Sequence, residues 1–153
     1  MREMAKKDRT PKIDIDAFAL DQAEKLMDLV RDFFSKSGKL ELYGLVCVER
    51  SGKGAVERVE PSASQPPPAL VFLDSVMRVA ELNRARAAMV CFAVNEGPIP
   101  IAMVLLQTRK AGQQLWTARI DRNEPTPAAA MGPWVKADTF SALPSLLPPV
   151  SGN

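Results

Sequence analysis

Side chains able to do chemistry are few in this chain, and they are scattered. Its 153 residues include no histidine. That removes the commonest general base and metal ligand, and with them any Ser-His-Asp or Cys-His arrangement. The two cysteines, Cys47 and Cys91, stand inside apolar, strand-like runs. They read as buried, reduced thiols acting as small hydrophobes, and they lack the paired spacing of a zinc site. Asp14 and Asp16 form the one close acidic pair that suggests a metal. They fall where a helix begins, and a carboxylate capping free backbone N–H groups explains them there. Glu41 and Glu49 share a strand face, but eight residues of extended chain hold them about 26 Å apart. The Gly-Lys-Gly at 52–54 lacks the first glycine and the following Ser or Thr of a phosphate loop, and it reads as a hairpin turn. Neither G-x-S-x-G nor G-x-G-x-x-G occurs. Arg109, Arg119 and Arg122 surround the last predicted hairpin, either as a patch for an acidic partner or as ordinary solvated strand edges. From these residues the expectation is no catalytic group, no cofactor and no metal.

The elements that would position any site are clearer. Residues 14–37 predict a helix. Leu20, Ala23, Met27, Val30 and Phe34 recur at three- and four-residue spacing, and Leu26 and Phe33 widen the stripe. Acids crowd its first half, Arg31 and Lys36 lie near its end, and Gly38 is placed to close it. Residues 39–50 predict a strand that turns through Ser51–Gly54 into a short second strand at 55–60. The run PSASQPPP at 61–68 cannot continue a strand ladder and reads as a stiff spacer. A second helix is predicted over 69–85, with Leu70, Leu73, Val76, Met77 and Ala80 facing inward. Three consecutive strands follow between Arg86 and Arg122.

The first two of those strands are apolar on both alternating faces. Ala87, Met89, Cys91 and Ala93 line one side of the first, and Ala88, Val90, Phe92 and Val94 line the other. A sheet covered on one side alternates apolar with polar, so both sides of these strands need a cover. With both helices packed on one face, the other would be left bare. The expected grouping sets Val90, Phe92, Val104 and Leu106 on one face, with Met89, Cys91, Met103 and Leu105 on the other. The candidate interaction surface is therefore Val90, Phe92, Met103, Val104, Leu105, Leu106 and Trp134. A second copy of the chain is the favoured cover, with the tail at its margin.

Length and an apolar fraction of 46% suit one domain with a real core. Residues 1–12 carry five basic side chains against two acidic ones, a net +3 that leaves −1 on the rest. They read as a disordered basic arm, and the near-neutral domain has no field for nucleic acid. Residues 13–122 form the expected domain. Residues 123–153, with six prolines, read as a tail packed in part, with one short helix expected over 138–147. No apolar run reaches the roughly 18–20 residues that span a bilayer. No secretory h-region follows the charged start, so a cytoplasmic chain is the expectation.

The element order is α-β-β-α-β-β-β. Placing the hairpin beside the three-strand meander predicts an α+β fold with a five-stranded antiparallel sheet in the order 2-1-5-4-3. This order of elements resembles roadblock- and profilin-like small α+β domains. Such folds host many roles, and the resemblance implies architecture only. The expected function is a non-catalytic protein-interaction module, dimeric or docked on a larger assembly. A domain that senses a small ligand or nucleotide is the alternative.

Overall fold

The computed structural model describes residues 13–61, 68–96, 99–141 and 143–148. The basic arm at 1–12 and most of the proline run lie outside the described residues.

Helix α1 spans Ile15–Ser37, with Asp14 accepting a hydrogen bond from the Ala17 N–H at 3.1 Å and Gly38 closing it in the left-handed conformation. Its buried stripe is Ile15, Ala19, Ala23, Leu26, Met27 and Phe34. The hairpin comprises β1 (Tyr43–Arg50) and β2 (Lys53–Val59). Arg50 pairs with Lys53, so the connection is the two-residue turn Ser51–Gly52. Both turn residues have positive φ (54° and 76°), the geometry whose twist matches that of the flanking strands. Helix α2 covers Ala69–Leu82 and buries Phe72, Leu73, Val76 and Ala80. Leu70, expected inside, is 61% exposed, and Met77 is only partly buried. The inward stripe therefore runs one position away from the Leu70–Met77 edge that the spacing predicted.

The meander is β3 (Ala87–Glu96), β4 (Ile99–Thr108) and β5 (Gly112–Arg119). The tail then makes a one-turn helix α3 (Pro127–Ala130) and a two-residue strand β6 (Val135–Lys136) that pairs with β5. The described part of 138–147 holds no helix.

All pairings are antiparallel, and the sheet has six strands in the order β2-β1-β3-β4-β5-β6. The expected 2-1-5-4-3 order is thus corrected: β1 pairs with β3, not β5. The two strands that are apolar on both faces, β3 and β4, occupy the centre. β2 and β3 both run antiparallel to β1, so they are parallel to each other, and α2 crosses over β1 to join them. Among the described residues no helix is long and apolar enough to cross a membrane.

The helices lie on opposite faces, not on one. Against α1 pack Leu45, Cys47, Ala87, Met89, Cys91, Val104 and Leu106. Against α2 pack Val46, Val48, Ala88, Val90, Phe92, Leu105 and Leu115, and the tail residues Leu146 and Leu147 close the same cluster. The expected facial grouping of β3 with β4 is also corrected. Glu96 pairs with Ile99, so every opposed pair joins an odd to an even position. Val90 faces with Leu105, and Met89 with Leu106.

Candidate functional site

The seven residues expected to form an interaction surface are mostly core. Val90, Val104, Leu105 and Leu106 are fully buried and Phe92 is 3% exposed, while Met103 and Trp134 are partly buried. They do not form one patch, because Val104 and Leu106 face α1 whereas Val90, Phe92, Met103 and Leu105 face α2. One chain supplies both covers, so this surface is withdrawn as a place for a second copy.

The reactive side chains are separated and shielded. Cys47 and Cys91 are both free and buried, and burial pushes each thiol up to about 12. Cys47 lies opposite Ala87, four residues along β3 from Cys91. That puts the two thiols roughly 13 Å apart, beyond disulfide reach. The acidic pair divides its roles. Asp14 caps α1. Asp16 has one buried carboxylate oxygen without a hydrogen-bond partner among the described residues, and it borders a hollow shared with Arg86, Arg109 and Lys110. Among the described residues no cluster of three metal-ligating side chains occurs. The arginine patch does not assemble either. Arg109 sits at the β4–β5 turn, and Arg119 ends β5 opposite Ile101, about 23 Å of strand away. Arg119 and Arg122 instead border a hollow at the far end of the sheet.

The surface offers three built features. One is an apolar groove of about 220 Å³ between α1 and the start of β1. Leu29, Val30 and Phe33 form its helix wall, Leu40 and Tyr43 its other wall, and Lys39, Glu41 and Glu60 its rim. Leu29 is 55% and Phe33 41% exposed. Burial raises the Tyr43 phenol above its ordinary value; Arg58 opposes the shift and Glu60 adds to it. The groove opens beside the end of β2, the strand at one edge of the sheet, which carries Lys53, Glu57 and Arg58.

The next is a hollow of about 650 Å³ at the end of the sheet, where Phe34, Leu40, Pro100 and Ile120 meet Arg122, Thr126 and Pro127. Its wall is strapped to α1. Arg31 donates through both terminal nitrogens to the carbonyls of Met131 (3.1 Å) and Gly132 (2.6 Å), and Trp134 donates through Nε1 to the Met27 carbonyl at 3.3 Å.

The third is the seat of the tail. Gln107 and Gln113 oppose each other one rung before the Thr108–Gly112 pair that ends the β4–β5 hairpin, on the α2 side. Both bind backbone atoms of residues 143–146.

Leu29 and the two glutamines had escaped sequence reading. The signal for the first was an apolar i, i+4 pair, Leu29 and Phe33, lying to one side of the buried stripe. The signal for the glutamines was a polar rung ending an apolar hairpin face. Comparison with protein-family models, curated proteins and solved structures gave no match.

Proposed function

We propose that this domain is a non-catalytic interaction module that self-associates through the groove between α1 and β1. One observation carries the reading: Leu29 and Phe33, two large apolar side chains one helical turn apart, stand open to solvent beside Leu40 and Tyr43. A single exposed leucine is ordinary. A concave apolar strip with a charged rim has the anatomy of a protein contact. Among the described residues β2 pairs only with β1, so its outer edge adds backbone hydrogen-bonding groups to the same side of the molecule. Its charged side chains limit indiscriminate pairing. The buried thiols and the missing imidazole argue in the same direction, away from nucleophilic or acid–base chemistry.

Sedimentation velocity over a concentration series tests this. Wild-type chain should associate reversibly, and Phe33→Asp or Leu29→Asp should return it to a monomer with little change in melting temperature. A wild-type chain that stays monomeric at high concentration overturns the reading.

The 650 Å³ hollow supports a second reading, a small-ligand or nucleotide sensor, since it combines apolar walls with Arg122 and Thr126. A thermal-shift screen with nucleotides and organic anions tests it, because a ligand specific for the folded form raises stability. A flat screen removes it.

A further inference from the structure

Residues 143–148, Leu-Pro-Ser-Leu-Leu-Pro, have the binding pattern of a ligand. They belong to no helix or strand. Their backbone is held by side chains projecting from the β4–β5 hairpin. Gln113 makes a reciprocal pair with Leu143, donating from Nε2 to its carbonyl (2.9 Å) and accepting from its N–H at Oε1 (3.0 Å). Gln107 accepts from the Leu146 N–H (2.8 Å) and donates to the Ser145 hydroxyl (2.9 Å). Arg109 donates to the Pro148 carbonyl at 2.7 Å. An amide side chain that donates to and accepts from one residue reproduces the bond pair of a β-bridge. It reads extended backbone without regard to sequence.

Selectivity then falls on the side chains. Leu146 and Leu147 are 0% and 1% exposed, packed in the cluster that holds Phe72, Leu73, Leu105 and Leu115. Both glutamines sit on paired strands and bond to each other (3.3 Å), so the reading groups are placed by the sheet, not by the tail. All six strands find their partners without residues 143–148. The glutamines that read the tail thus stand on strands that the segment itself does not help to pair.

We propose that the α2 side of the β4–β5 hairpin is a peptide groove that binds, in trans, an extended segment with two adjacent leucines next to proline, and that residues 143–148 are its resting occupant. The groove lies on the opposite face from the α1 groove and does not depend on it. A tethered occupant competes at an effective concentration on the order of millimolar. An outside peptide therefore gains access only when the tail is weakened.

The test uses the full chain carrying Leu146→Ser and Leu147→Ser, with a fluorescein-labelled synthetic peptide of the sequence DTFSALPSLLP. Fluorescence anisotropy should show saturable binding to this variant, and at least tenfold weaker binding to wild type. Adding Gln107→Ala and Gln113→Ala to the variant should weaken binding at least tenfold. If the variant is folded and binds this peptide no better than one with both adjacent leucines changed to serine, the proposal is overturned. If the variant fails to fold, recovery of a cooperative melt on adding the peptide supports the groove. No recovery shows that the tail is an inseparable part of the core, which also overturns it.

Discussion

Replacing Gly44 with alanine tests how closely α2 is seated on the sheet. Gly44 lies in β1 beneath α2, where a Cβ would stand 2.7 Å from the Val76 Cγ2 and 3.3 Å from the Val59 Cβ. Carbon atoms rest at about 3.5–4.0 Å, so roughly 1 Å of separation must be found. Val76 is fully buried, and a valine in a helix has one strongly preferred rotamer. The side chain cannot swing away, so the helix itself must lift from β1. Overpacking of this kind costs about 1–3 kcal/mol. The lower unfolded-state entropy of alanine returns about 0.5–1 kcal/mol. The net expectation is a loss on the order of 1–2 kcal/mol, read as a lower urea midpoint at unchanged slope. Val76→Ala removes the obstructing methyl, so the double variant Gly44→Ala/Val76→Ala should be more stable than the sum of the two single losses by about 1 kcal/mol. A neutral or stabilised Gly44→Ala, or simple additivity in the cycle, would refute the contact.

Three further outcomes follow from the same packing. Leu73→Ala, at a fully buried site, should cost about 2–5 kcal/mol in denaturant titration, while Met77→Ala, partly exposed, should cost well under half as much; equal losses would place the inward stripe wrongly. Arg31→Ala removes both bonds to the Met131 and Gly132 carbonyls and should cost about 1–3 kcal/mol, with a red-shifted tryptophan emission as Trp134 loosens. Arg31→Lys should recover little, because an ammonium cannot span two carbonyls as a guanidinium does; an unchanged emission spectrum in Arg31→Ala would count against the strap. Cys47 and Cys91 should resist a thiol reagent at pH 8 in the native protein and react fully once it unfolds. Burial raises both thiols from 9.0 to about 12, so between pH 9 and 12 the unfolded chain holds fewer protons than the folded one and stability must fall as pH rises. Each thiol should contribute on the order of 1 kcal/mol of that loss by pH 10, and Cys47→Ala/Cys91→Ala should flatten the alkaline decline; a slope unchanged by the double substitution would sink the assignment.

Much of the local structure was legible in the residues, because local rules decide it. Asp14 and Gly38 bound α1 as capping chemistry predicts, and the alternation within β3 sorts its side chains onto the faces they occupy. The strand order was misjudged although its signal was present. An order of 2-1-5-4-3 would leave β3 at an edge, yet β3 is apolar on both faces and needs neighbours and cover on every side. The observed order gives it β1 and β4, with a helix layer above and below. Pairing β3 with β4 in the wrong parity came from ignoring the turn, since a two-residue connection obliges odd positions to oppose even ones. The tail was harder to read. Two adjacent leucines fit neither a helical nor a strand period, so nothing in their spacing shows that both are buried. The same holds for the candidate site. Leu29 and Phe33 were visible as apolar residues, but their exposure depends on how the segment from Lys39 to Tyr43 passes α1, which no local pattern encodes.

The position of Leu146 and Leu147 in the chain has a consequence for biosynthesis. A ribosome makes α1, the hairpin, α2 and the whole meander before it reaches these residues. Until then the cluster of Phe72, Leu73, Leu105 and Leu115 lacks the two leucines that complete it, and incompletely buried apolar surface makes a nascent chain prone to aggregation. A product that stops between β5 and Leu146 carries every paired strand of the meander but lacks those two core side chains. The core on that side therefore closes last, after every strand has been made.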